Sequence, residues 1–293
     1  MITRRGIGGA AVAFGALGAT AARADGGFAG LSAAFAGIET ACGGRLGVAV
    51  LDTGSGRRAG HREGERFPMC STFKLLLAGA VLARIDAGRD SSERRVRVTQ
   101  DDLLDYAPVT RDRVGGEGMT LAELCAAILV QSDNTAANLL LGVVDGPEGL
   151  TAWLRGLGNG VTRLDRREPE LNEARPGDPR DTTSPAAMLA DVQALALGPT
   201  LSPRSGERLR GWMRESRTGD ARLRARLPQG WQVGDRTGTG RNNTSNVVGV
   251  LWPPGGAAPL VVTAYLTGGP ADGARRDAAL ADVGTAVAAA WAA

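Results

Sequence analysis

Ser71-Thr72-Phe73-Lys74 places a hydroxyl and an amine three residues apart. On a helix that spacing puts both side chains on one face. A serine hydroxyl is a weak nucleophile at neutral pH and needs a base close by, and Lys74 is placed to serve it. Phe73, Leu76, Leu77, Ala80 and Val81 repeat at helical spacing and predict a helix anchored in a core. Ser71 then falls at the helix N-terminus, where free backbone N–H groups and the helix dipole favour developing negative charge. The chemistry on offer is attack on a carbonyl. Alone the pattern is weak, because serine and lysine recur at this spacing on many surface helices.

Two more triplets raise its weight. Ser132-Asp133-Asn134 follows a helix that starts with the capping box Thr120-x-x-Glu123 and runs through Leu121, Leu124, Ile128 and Leu129. By itself the triplet reads as a solvated cap of the next helical stretch, Thr135 to Leu141, since Ser, Asp and Asn are the usual capping residues. Arg236-Thr237-Gly238 comes third. Three motifs in this order, at spacings one domain can fold together, argue against coincidence.

This set resembles the motifs of the class A serine β-lactamases, and the resemblance covers nearly all of the chain after residue 25. Its most specific part is Arg166-Arg167-Glu168-Pro169-Glu170-Leu171-Asn172, similar to the family's Ω-loop motif. The resemblance implies that Ser71 is the acylated nucleophile and Lys74 its proton partner. Ser132 would relay a proton to the departing lactam nitrogen, and Asn134 would bind the substrate's side-chain amide. Glu168, with Asn172 a turn later, would hold the hydrolytic water. Thr239 would lie opposite Ser71, their backbone N–H groups forming an oxyanion hole. Tyr106, with Pro108 just after it, matches the aromatic at the rim of the cleft. Arg166 and Asp181 match a pair that closes the base of the Ω loop. A carboxylate acting as general base contributes about 10²–10⁴-fold. The glutamate is accepted as the base of deacylation, while Lys74 and Glu168 both remain candidates for acylation.

The chain also departs from the family's common form. Arg236-Thr237-Gly238 stands where most members have Lys-Thr-Gly, and a planar guanidinium fork does not replace a compact ammonium conservatively. Arginine here resembles the carbenicillin-hydrolysing subgroup, which implies turnover of penicillins including carboxypenicillins. Many members carry another arginine at the position of Ser245; others supply it from a preceding loop, which Arg222 matches. Arg222 would then join Arg236 and Thr237 in holding the substrate carboxylate. Of the cysteines at 42, 70 and 125, Cys125 matches half of a family disulfide whose other half is here Ala78. Cys70 resembles a cysteine of carbapenem-hydrolysing relatives, whose bonding partner is replaced by Gly240. Cys70 and Cys125 are therefore expected to be buried thiols.

Met1 to Ala24 reads as an export signal, with a charged start, an apolar stretch and Ala22-Arg23-Ala24 as the cleavage site. Arg4-Arg5 suggests the twin-arginine route; a Sec signal stays open. Export to the periplasm or medium follows, with Asp25 as the first mature residue and no membrane anchor. The formal charge of +3 is carried by Arg4, Arg5 and Arg23, so the mature chain is neutral and no nucleic acid or anionic membrane is indicated as partner. His61, the only histidine, reads as an exposed polar residue and cannot support a histidine triad or zinc cluster. No metal or cofactor is expected, and a monomer is.

Strands at Leu46 to Leu51, Val247 to Trp252 and Leu260 to Leu266 stand near the chain ends. A turn at Thr53-Gly54-Ser55-Gly56 follows the first, and Pro253-Pro254-Gly255-Gly256 joins the other two. A first helix carries Phe28, Leu31, Phe35 and Ile38, and a last one Leu280, Val283, Val287 and Trp291. Residues of about 65 to 215 read as mostly helical. The expected fold is α/β of the α+β type. A mixed lobe (residues 25–64 and 216–293) holds a mainly antiparallel sheet flanked by helices. It packs against an all-helical lobe (65–215), with the active site between them. Two rivals share the nucleophile: a penicillin-binding D-alanyl-D-alanine peptidase and a non-enzymatic β-lactam sensor. The first does not account for Glu168 with Asn172, and the second would normally need a membrane-linked signalling segment.

Overall fold

The structure, a computed structural model, describes residues 27–293; the expected export signal lies outside the described residues. A 3₁₀ turn, Gly27–Gly30, leads into α1 (Leu31–Cys42), β1 (Arg45–Asp52), β2 (Arg58–His61) and β3 (Phe67–Pro68). A second 3₁₀ turn, Cys70–Thr72, opens α2 (Phe73–Asp86), followed by β4 (Arg95–Val96) and β5 (Met119–Thr120). Then come α3 (Leu121–Ala126), a π-helical turn (Ala127–Gln131), α4 (Asn134–Val143) and α5 (Gly146–Gly156). A long loop precedes β6 (Thr182–Thr183), α6 (Pro185–Ala196) and α7 (Pro203–Arg214). The chain ends with β7 (Gln232–Gly240), β8 (Thr244–Trp252), β9 (Leu260–Thr267) and α8 (Gly273–Ala292).

The main sheet is antiparallel throughout, in the order β2-β1-β9-β8-β7. Its three central strands, β1, β9 and β8, are apolar on both faces, and successive residues serve different cores. Leu46, Val48, Val50, Val262, Ala264 and Leu266 pack with Phe35, Leu280, Val283 and Val287 of α1 and α8. Ala49, Leu51, Val248, Val250, Val261 and Tyr265 face the other way and join the core of α2, α3, α4 and α6. Each large apolar side chain so buried contributes about 1.5–3 kcal/mol. This rigid sandwich carries β7 and the start of α2 side by side.

The expected fold class holds, with two adjustments. The sheet has five strands where the sequence marked three: β2 is a short polar edge strand, and β7 is rich in glycine. The second adjustment is α6, which lies within the stretch expected to be an all-helical lobe yet packs on β1, β8 and β9. Thr263 Oγ1 donates to the Pro185 carbonyl at 2.9 Å there. His61 also differs from the exposed residue expected: it ends β2, is half-buried, and its Nε2 lies 2.9 Å from Glu39 Oε2 of α1. An acid on the neighbouring helix draws it in. Among the described residues no helix is long and apolar enough to cross a membrane.

Candidate active site

The chain enters α2 through a left-handed residue, Cys70 (φ 45°), an uncommon conformation for a side chain other than glycine. Ser71 sits on the 3₁₀ turn and the α-helix proper begins at Phe73. Ser71 and Lys74 therefore span the junction of the two helices. Lys74 is fully buried, and its Nζ donates to the Ser132 carbonyl (2.8 Å), Ser132 Oγ (3.3 Å) and Asn134 Oδ1 (2.5 Å). It also pairs with Glu168 Oε1 at 3.0 Å. Burial lowers the Lys74 pKa to about 8, against the upward pull of Glu168.

Ser132 reaches this amine because α3 does not run straight into α4. The capping box Thr120–Glu123 starts α3 as read, with reciprocal bonds of 3.1 and 2.7 Å. The last turn widens to a π-helix, and Ser132 leaves it in the left-handed region (φ 62°). Such turns are common at functional positions. Asp133, fully buried, caps α4 through Ala136 N (2.8 Å) and accepts from Val109 N and Thr110 N, both at 2.9 Å. The same carboxylate so fixes α4 and the loop that carries Tyr106. Tyr106 stands half exposed at the rim, its hydroxyl donating to the Gln131 carbonyl at 3.2 Å.

Glu168 is buried, far from the solvated loop acid its neighbours could suggest. Its Oε1 accepts from Ser71 Oγ at 3.4 Å and its Oε2 from Asn172 Nδ2 at 2.5 Å. Asn138 of α4 grips the main chain beside it, accepting from Glu168 N (3.0 Å) and donating to Glu168 O (2.8 Å). Arg166 and Asp181 close the base of this loop, Nε to Oδ2 at 2.6 Å. Asp181 Oδ1 also accepts the backbone N–H groups of Asp165 (2.8 Å) and Arg166 (2.9 Å).

The third wall is β7. At Gly238 a Cβ would fall 2.7 Å from the Met69 carbonyl and 3.2 Å from Ser71 N, so only glycine lets the strand lie against the turn that carries Ser71. This approach sets Thr239 beside Ser71. Arg236 is 1% exposed, and burial lowers its pKa to about 10. Its Nε donates to Thr237 O (2.9 Å), Nη1 to Ile128 O (3.2 Å) and Leu129 O (3.1 Å), and Nη2 to Thr237 Oγ1 (3.2 Å). The guanidinium fork thus ties β7 to the carbonyls of the π-helical turn, which an ammonium cannot do with the same geometry. Arg222 reaches in from the turns before β7, its Nη2 donating to Thr239 Oγ1 at 2.8 Å.

Ser71, Tyr106, Ser132, Asn134, Asn172, Arg222, Arg236, Thr237, Gly238 and Thr239 line one cleft of about 270 Å³, with Lys74 and Glu168 buried beneath it. A larger hollow of about 590 Å³ behind the Ω loop is lined by none of Ser71, Lys74 and Glu168. Chemistry, not size, selects the smaller. Thr218 also lines the cleft and accepts from Thr237 Oγ1 at 2.6 Å; nothing in the sequence marks it. Asn138 was not read from the sequence either; its place one helical turn after Asn134 is the signal that could have found it. Cys70 and Cys125 are buried free thiols, and burial pushes the Cys70 thiol up to about 12. Cys42 is half-buried and also free.

Comparison with known proteins agrees with this arrangement. The family model described as the beta-lactamase enzyme family matches residues 30–291. Beta-lactamase L2 of Stenotrophomonas maltophilia is 52% identical over 250 residues, 85% of this chain and 82% of that protein. Among solved structures, the class A β-lactamase of the last common ancestor of Gram-negative bacteria superposes with a TM-score of 0.87 at 57% identity, covering 89% of this chain and 99% of that one. A β-lactamase of Xanthomonas campestris pv. campestris gives 0.85 at 52%, covering 88% and 96%. The chain belongs to the class A β-lactamases, enzymes that hydrolyse β-lactams.

Proposed function

We propose that this enzyme is an exported, monomeric penicillinase that also turns over carboxypenicillins, and that Glu168 serves both halves of its reaction. The observation that carries the second part is the set of acceptors around Lys74. An ammonium has three N–H donors. Glu168 Oε1, the Ser132 carbonyl and Asn134 Oδ1, all within 3.0 Å, are acceptors enough for all three, and Ser132 Oγ stands as a longer fourth at 3.3 Å. The resting amine is therefore charged, and the group that faces the Ser71 hydroxyl is the Glu168 carboxylate.

In this reading Ser71 Oγ attacks the lactam carbonyl as its proton passes to Glu168, directly or through a water. Backbone N–H groups of Ser71 and Thr239 take the oxyanion; one such donor is worth about 10²–10³-fold. The C–N bond breaks as Ser132 gives its proton to the nitrogen, and Lys74 replaces that proton. Glu168 then returns the Ser71 proton to the now neutral Lys74 across their 3.0 Å contact, which restores the carboxylate. Water held by Glu168 and Asn172 attacks the ester, and its proton passes to Glu168 and on to Ser71 Oγ as that oxygen leaves. Asn134 binds the substrate's side-chain amide, and Arg236, Thr237 and Arg222 its carboxylate. Gly238 keeps the strand close enough for these contacts. Arg166 and Asp181 keep Glu168 in register.

Steady-state hydrolysis of benzylpenicillin and carbenicillin, each in large molar excess, tests the proposal. Many turnovers on both are expected. A carbenicillin kcat/KM about 100-fold or more below that of benzylpenicillin sinks the carboxypenicillin reading. One equivalent of product followed by a stop sinks deacylation through Glu168 and favours a penicillin target or sensor.

A further inference from the structure

Asp191 lies on the buried face of α6 among Met188, Leu189, Val192 and Leu195, and is 4% exposed. A carboxyl in such surroundings is costly unless something uses it. Arg155 of α5 and Tyr265 of β9 are the titratable groups that face it. Neither bonds to it: Arg155 Nη1 donates to the Asn159 and Thr162 carbonyls, and the Tyr265 hydroxyl pairs with Thr72 Oγ1. Burial pushes the Asp191 carboxyl up to about 7. Its hydrogen-bond donor among the described residues is Asn159 Nδ2, 2.5 Å from Oδ2.

That amide ties the neck of the Ω loop. Nδ2 also donates to Thr162 Oγ1 (2.7 Å), while Oδ1 accepts from Val161 N (2.9 Å) and Thr162 N (2.8 Å). An asparagine amide offers two donors and two acceptor positions; all four are filled, so it has one orientation. Thr162 Oγ1 meets Thr183 Oγ1 across the neck at 2.7 Å, and Arg163 N donates to Thr182 O at 3.0 Å. From here the two sides of the neck lead to the two halves of the catalytic pair. One runs through Arg166 to Glu168. The other pairs Thr183 with Phe67 and Thr182 with Pro68, and Asp181 O takes Met69 N at 2.9 Å, two residues before Ser71. Without an acceptor at 191, one N–H of the Asn159 amide is left buried and unpaired. It can regain a partner only by turning out of its other bonds.

We infer that Asp191 is a positioning residue for deacylation, fixing the Asn159 amide and through it the neck that holds Glu168 against Ser71. This rests on the reading of Glu168 as the base of deacylation. The test follows formation and decay of the Ser71 adduct of benzylpenicillin by rapid quench and intact mass, in wild type, Asp191→Val, Asp191→Asn and Glu168→Gln. Valine fills the space and offers no acceptor. For Asp191→Val, adduct decay slows about fivefold while adduct formation stays within about twofold, so kcat falls and kcat/KM is kept. Asparagine, whose amide oxygen still accepts from Asn159, restores decay to within about twofold of wild type. Asn159→Ala, which breaks the same link from its other end, gives the valine result should that variant not fold. Unchanged decay in a folded Asp191→Val, equal slowing of formation and decay, or an asparagine variant as slow as valine each overturns the inference. Adduct decay at the wild-type rate in Glu168→Gln overturns instead the reading of Glu168, and that variant alone tells the two failures apart.

Discussion

Replacing Glu168 with glutamine separates the two halves of the reaction. The amide keeps the shape of the carboxylate but has one oxygen where Lys74 and Asn172 donate to two, so one of them meets an N–H donor instead, and it cannot take a proton. Loss of the general base costs about 10²–10⁴-fold, or about 3–5 kcal/mol of barrier. A second effect runs through Lys74. Its ammonium is wholly buried, and burial already lowers its pKa to about 8 while Glu168 pulls the other way. Without the carboxylate 3.0 Å from Nζ that pull is gone, so the pKa falls further and the amine is neutral more of the time near pH 7. A neutral Lys74 can accept the Ser71 proton in the glutamate's place, whereas no other base sits beside Asn172 to activate water. Acylation is therefore slowed less than deacylation, and the acyl-enzyme accumulates. Mixing the variant with a few equivalents of benzylpenicillin is expected to give a burst of one product equivalent. Intact mass should rise by one substrate, with the adduct on Ser71. Turnover within about tenfold of wild type, with no adduct, refutes the assignment of Glu168.

Two further outcomes follow from the same geometry. If the working form of Lys74 is the ammonium, kcat/KM falls as pH rises through about 8, where the lysine loses its proton; a profile that climbs through that range would make neutral Lys74 the acylation base. Gly240→Ala puts a Cβ 2.6 Å from Cys70 Sγ and 2.9 Å from the Asn172 carbonyl, and such overpacking costs about 1–3 kcal/mol. A lower melting temperature and slower deacylation are expected together, because the buried Cys70 side chain and the Asn172 main chain must both give, and an unchanged melt would show that the wall is softer than it looks.

The parts of the site that could be read from the sequence are those whose logic is local. Ser71 and Lys74, the Thr120–Glu123 capping box and the capping triplet at 132–134 each work within one helical turn, so spacing alone reports them. Glu168 was legible only through its resemblance to a known motif, because nothing near it in sequence shows that Asn138 and Asn172 will bury it against Lys74. Arg222 and Asp277 stand 55 residues apart and meet only after the sheet has formed. Neither carries a local signal of the other.

The least legible element is the one nearest the chemistry. Strands are recognised by branched and aromatic side chains, which pack on a pleated surface, and β1, β8 and β9 have them. The segment that becomes β7, Gln-Val-Gly-Asp-Arg-Thr-Gly-Thr-Gly, does not. Its glycines are there because a Cβ at 238 would strike the Met69 carbonyl and one at 240 would strike Cys70 Sγ. A strand that must bring its backbone against the nucleophile's turn has to give up the side chains that would announce it. Its place is fixed from outside instead, by the β8 register from Gln232 to Gly240 and by the Arg236 fork on the π-helical turn. Where local pattern and global fold disagree in this chain, the disagreement marks the catalytic wall.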